Sequence, residues 1–122
     1  RFRFPSRSEC RIYGLPVVER LGTGEGLWLS EGVTDCLALL SSGRKAIAIP
    51  GATLLKPEDV KLLANLRMEK KTVFHIFPDK DEAGERLYRQ LLQAANEIGA
   101  CLIRDELPEG YKDFGQWWAS QA

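Results

Sequence analysis

From Leu27 onward, short apolar runs alternate with longer stretches in which apolar residues recur at helical spacing. Leu27-Trp28-Leu29-Ser30 reads as a first strand. Thr34 to Ser42, with Leu37, Leu39 and Leu40 beside Cys36, reads as a helix stopped by Gly43. Ala46-Ile47-Ala48-Ile49 is a second buried strand closed by Pro50-Gly51. Pro57 suits the first turn of a second helix, and Glu58 and Asp59 follow where the helix dipole favours negative charge. Val60, Leu62, Leu63 and Leu66 line its inner face. Thr72 to Phe77, rich in β-branched and aromatic residues, is a third strand. The longest helix runs from Glu82 to Ile98, with Leu87, Leu91, Leu92, Ala95 and Ile98 near helical spacing, and Gly99 ends it. Ala100 to Ile103 is a fourth strand, and Phe114 to Ser120 a short closing helix. This alternation predicts the α/β class: a central, roughly four-stranded parallel sheet with right-handed crossovers, flanked by helices.

Ahead of that pattern, residues 1–26 form a predicted N-terminal arm and loop, with alternating Arg and Phe, then Pro5, Gly14, Pro16 and the glycine-rich stretch Gly22 to Gly26. That stretch lacks the Lys-Ser/Thr pair of a phosphate-binding P-loop and precedes a strand, so it reads as a plain loop. Residues 27–122 form the folded domain, and 122 residues suffice for one core, not two. The chain opens at Arg1 without methionine and is read as a domain excised from a longer protein.

Seventeen basic residues balance seventeen acidic ones. Phosphate neutralisation supplies most non-specific affinity for nucleic acid, so a neutral domain does not bind a duplex tightly alone. It suits a module that borrows basic surface from a neighbour. Cys10, Cys36 and Cys101 are widely spaced and include no CxxC, which argues against a disulfide framework or zinc site and for a reducing cytoplasm. No apolar run approaches the roughly twenty residues that span a bilayer, so no membrane association is expected.

Chemistry concentrates in two acidic clusters, Glu31-Gly32-x-x-Asp35 and Asp79-Lys80-Asp81. Each follows a predicted strand and precedes a predicted helix. Open α/β sheets bind ligands at the carboxyl ends of their strands, so the clusters should face one cleft. Carboxylate oxygens are hard ligands suited to holding Mg²⁺ beside phosphate. A plainer reading stays open for each: Asp81 is also placed to cap the long helix, and Glu31 and Asp35 to decorate a helix dipole. Gly51 either lets backbone amides approach a phosphate or makes a tight turn. Lys112-Asp113 offers a cation and a further carboxylate near the sheet end, or a solvated pair with Asp113 as a cap. His75 reads as a satisfied strand histidine, Cys36 as core, and Trp117 and Trp118 as packing for the last helix.

Together, Trp28-Leu29-Ser30-Glu31-Gly32-x-x-Asp35, Ile49-Pro50-Gly51-Ala52 and Phe77-Pro78-Asp79-Lys80-Asp81-Glu82-Ala83-Gly84 resemble the Toprim domain over about residues 27 to 115. The Asp-x-Asp-x-Ala-Gly string and the acid four residues after Glu31 look most like the branch of DnaG-type primases and primase-helicases. Tyr13-Gly14-Leu15-Pro16 and Lys112-Asp113 also fit that branch. The resemblance implies a Rossmann-like Toprim fold and a Mg²⁺- or Mn²⁺-dependent nucleotidyltransferase making RNA primers in DNA replication. Glu31 would act as general acid or base. Glu31, Asp79 and Asp81, with Asp35, would form the metal set, and Gly51 and Lys112 would contact substrate. Its implied partners, reached through the full-length protein, are a single-stranded DNA template, ribonucleoside triphosphates, and a replicative or fused helicase. Lys80, between the two aspartates, departs from the small residue common there and would blunt the site by pairing with either. Without zinc-binding, template-binding or helicase parts, this piece alone should polymerise poorly or not at all. Two other readings stand beside this one: a Toprim nuclease of the OLD type, with water as nucleophile, and a non-catalytic Toprim module that mediates contacts in repair.

Overall fold

A computed structural model describes residues 20–49 and 57–121. In chain order the elements are β1 (Gly26–Ser30), α1 (Val33–Ser41), β2 (Ala46–Ala48), α2 (Pro57–Lys70), β3 (Val73–Ile76), α3 (Glu82–Ile98), β4 (Leu102–Arg104) and α4 (Phe114–Ser120). The strands form one sheet in the order β2-β1-β3-β4, with every pairing parallel. Among the described residues this is the expected Rossmann-like Toprim architecture: a four-stranded parallel sheet flanked by four helices.

Side-chain alternation along the strands divides the core into two layers. Leu27, Leu29, Ile47, Ile49, Phe74 and Ile76 face one way, against Leu63 and Leu66 of α2 and Leu87 and Leu91 of α3. The intervening residues Trp28, Ala46 and Ala48 face the other, against Cys36 and Leu39 of α1 and Phe114 of α4. Trp28 stands in register with Ala46 on the neighbouring strand, and the small methyl leaves room beside the indole. Its other neighbour is His75, whose ring stacks on the indole with centroids 4.2 Å apart. Trp28 Nε1 donates to Asp105 Oδ2 at 2.8 Å, and His75 Nδ1 meets the same oxygen at 3.2 Å. His75 is thus the satisfied strand histidine expected, and Cys36 is wholly buried, its thiol pushed up to about 12 by burial and by Asp35.

Every strand differs from expectation by a residue or two at one or both ends, and the starts of β3 and β4 move because the preceding helices claim Thr72 and Ala100. Gly99 takes the left-handed conformation that closes α3, and the N–H of Ala100 turns back to the Ala95 carbonyl at 2.8 Å. Ala100 therefore serves the helix end, and β4 starts at Leu102. Thr72 is likewise spent on α2, its buried hydroxyl donating to Leu66 O at 3.2 Å, so β3 starts at Val73.

The connection leaving β1 runs through α1 to β2 on one side, and that leaving β3 runs through α3 to β4 on the other. Between β1 and β3 the chain departs in opposite directions, which opens a crevice beyond their carboxyl ends. No helix among the described residues is long and apolar enough to cross a membrane.

Phe74 is 2 % exposed in the middle of the sheet. Phe74→Ala should lower the unfolding free energy by about 3–5 kcal/mol, as the lost transfer and cavity terms require, measured by chemical denaturation.

Candidate metal centre

The residues that reach the crevice come from three loops. After β1, Ser30 Oγ donates to Gly32 O at 2.9 Å, shaping the turn that carries Glu31, and α1 begins at Val33 with Asp35 in its first turn. After β3, Pro78 is buried and Asp79 is half-buried. After β4, Asp113 stands at the N-terminus of α4. The carboxylates of Asp35, Asp79 and Asp113 converge, each offering an oxygen such that all lie within 4.8 Å of one another.

Two glycines make that convergence possible. A Cβ on Gly84 would stand 2.7 Å from Asp79 N and 2.8 Å from Asp79 C, so the first turn of α3 presses directly on the Asp79 backbone. Gly115 plays the matching part on α4. Its N–H donates to Asp35 Oδ1 at 3.0 Å, and a Cβ there would lie 2.7 Å from that oxygen. A side chain at either position would push one carboxylate out of the cluster.

The electrostatics follow from crowding. Burial pushes Asp79 up to about 7, helped by the neighbouring Asp35, Asp113 and Asp81. Asp35 is also raised, first by burial and then by Asp113, against the opposing Gly115 hydrogen bond. With Asp79 raised to about 7, part of the cluster's negative charge is cancelled by protonation at neutral pH. A divalent cation would relieve the same repulsion. An all-oxygen, all-carboxylate donor set suits Mg²⁺ or Mn²⁺ and not a soft metal. The residues present fit such an ion.

Glu31 is half-buried at the end of β1, and Asp81 lies beside the crevice; among the described residues neither belongs to the close cluster. Asp81 caps α3, its Oδ1 accepting from the N–H of Gly84 at 2.7 Å, and that bond with Lys112 holds its carboxyl below the usual range. Asp113 caps α4, accepting from Gln116 N–H at 2.7 Å, and joins the cluster as well. For Asp113, capping a helix and standing in the carboxylate cluster are compatible.

Lys112 Nζ is 3.4 Å from Asp81 Oδ2. The expected pairing of Lys80 with an aspartate is not what the structure places there: Lys80 Nζ donates to Pro108 O at 3.1 Å. The Lys80 backbone N–H meanwhile donates to Lys112 O at 2.8 Å, clasping the loops that carry Asp79 and Asp113. Gly51 lies outside the described residues. The importance of Gly115 had no local signal in the chain, since only the packed fold shows which carboxylate meets its amide.

A family model described as Toprim-like matches residues 28–117, a span from β1 into α4. The chain matches no curated protein.

Two outcomes should follow. Because Asp79 is raised from its ordinary 3.8 to about 7, its protonated form favours the fold; that contribution is full at low pH and is lost as pH rises through about 7. Thermal melts in chelator should therefore fall between about pH 4 and pH 8, and Asp79→Asn should flatten the slope. Gly84→Ala should cost about 1–3 kcal/mol in stability by overpacking against Asp79, read by denaturant titration.

Proposed function

The chain belongs to the Toprim-like family, and from that premise we propose that it is the catalytic module of a primase-type protein, joining ribonucleotides on a single-stranded DNA template. Toprim domains occur in nucleotidyltransferases and nucleases, and bind divalent metal in the service of nucleic-acid processing. The observation that carries the finer reading is the company Asp79 keeps. Asp35 and Asp113, two of the acids that fit the primase and primase-helicase branch alongside the Asp79-x-Asp81 string, are the two whose oxygens lie within 4.8 Å of its own.

Asp35, Asp79 and Asp113 would hold the metal, with Asp81 beside them. Bound there, Mg²⁺ or Mn²⁺ supplies a Lewis acid that offsets charge on phosphate oxygens during in-line displacement. Glu31, at the end of β1 and outside the close cluster, is left to handle the proton. The 3′-hydroxyl oxygen of the growing strand forms its bond to the α-phosphorus, the bond to pyrophosphate breaks, and the hydroxyl proton passes to the Glu31 carboxylate. Lys112, beside Asp81, brings a positive charge to the same edge for the triphosphate. The formal charge of zero accords with a template held chiefly by other parts of a larger protein.

The parent protein, given ribonucleotides, single-stranded template and Mg²⁺, should make short oligonucleotides, and Asp79→Ala should reduce synthesis by at least about a hundredfold, as loss of a metal-holding charge implies. Strand cleavage without synthesis would assign the module to the nucleases instead. If millimolar Mn²⁺ leaves the amide resonances of Gly84 and Gly115 unmoved, the domain is a non-catalytic interaction module.

A further inference from the structure

Arg44 lies in the turn between α1 and β2, half-buried and far in sequence from most of the site. Its guanidinium carbon stands 5.4 Å from the Trp28 ring, 5.7 Å from that of Phe77 and 5.3 Å from that of Phe114. Among the described residues no carboxylate pairs with it; one nitrogen donates to Ser42 Oγ at 2.8 Å, and ring faces meet the rest of the charge.

Those rings belong to the three segments that feed the carboxylate cluster. Trp28 is on β1, which leads into the turn before Asp35. Phe77 comes two residues before Asp79. Phe114 sits between Asp113 and Gly115, so both site contacts made by α4 flank a single ring. That ring is 1 % exposed and packs against Phe77 at 4.9 Å and Trp117 at 5.4 Å. The guanidinium touches all three segments, and its own turn directly follows α1, which carries Asp35. A flat, delocalised cation suits a place among three rings better than the compact, strongly hydrated ammonium of lysine.

We propose that Arg44 is a positioning residue for the carboxylate cluster, setting the mutual placement of Asp35, Asp79 and Asp113 by holding Trp28, Phe77 and Phe114 around one guanidinium. It touches none of the carboxylates and acts through the rings. The proposal rests on the metal-binding reading only for its consequence in affinity; the placement itself is a property of the metal-free protein.

The test compares Arg44→Met, Arg44→Lys and Ile47→Val, the last a mild core change on the opposite face of the sheet. Two measurements are made on each: the Gly115 amide resonance without metal, which reports the hydrogen bond to Asp35, and Mn²⁺ affinity by titration. Arg44→Met should shift the Gly115 amide and weaken Mn²⁺ binding at least about tenfold, as loss of outer support for ligands does elsewhere. Arg44→Lys should recover part of both effects, and Ile47→Val should change neither. An unmoved Gly115 amide in Arg44→Met overturns the proposal, as does an equal shift in Ile47→Val. Should Arg44→Met not fold, Arg44→Lys carries the test, and wild-type behaviour in it overturns the proposal. A shifted amide in a protein whose wild type binds no Mn²⁺ would sink the metal reading and leave the positioning role standing.

Discussion

Three carboxylates held within a few ångströms of one another are the constraint around which this end of the molecule is built. Carboxylates repel, and burial deepens the penalty by removing the water that would screen them. The fold meets that cost with backbone, not with cations. Gly115 turns an amide onto Asp35, Gly84 lets a helix end press against Asp79, and the cap geometry of α4 fixes Asp113. The raised proton affinity of Asp79 offsets part of the remainder. Each device needs the parallel sheet beneath it, because only the divergence of the chain between β1 and β3 brings the loops to one crevice.

Helix capping and ligand presentation share residues here. Asp81 and Asp113 each accept from the third residue of the helix they begin, and both helices thereby start at a defined height above the sheet. A cap fixes the carboxylate's rotamer, and a fixed rotamer is what a metal centre demands of its neighbours. The clasp between Lys80 and Lys112 adds a second tie between the loops, so they are placed relative to one another as well as to the strands.

Much of this was legible in the chain itself. The order of strands and helices, the span of the longest helix and that of the last one follow from apolar spacing with Gly99 and the aspartates as punctuation. The Glu31, Asp35, Asp79 and Asp81 clusters were visible as strand-end acids. Less visible was which acids would meet. Asp81 and Asp113 look alike in sequence, each an aspartate ahead of a helix, yet Asp113 turns into the cluster while Asp81 faces Lys112. The difference is tertiary: it depends on where α4 docks, and that is decided by Phe114 and the rings around it. Gly115 and Arg44 were silent for the same reason, since glycine after a cap and arginine in a turn are unremarkable until the fold supplies their neighbours. The strand limits at β3 and β4 were displaced because Thr72 and Ala100 make their bonds to preceding helices.

The hydrogen bond between Gly115 and Asp35 joins residues 80 apart in sequence. The segment from Asp35 to Gly115 must therefore fold together to assemble the cluster, and the entropy of closing that span must be met before the first carboxylate finds the last. A chain clipped ahead of α4 would keep Asp35 and Asp79 and still have no complete place to hold an ion. Acquisition of the centre is in that sense an audit of completed folding, performed by the final helix as it comes to rest.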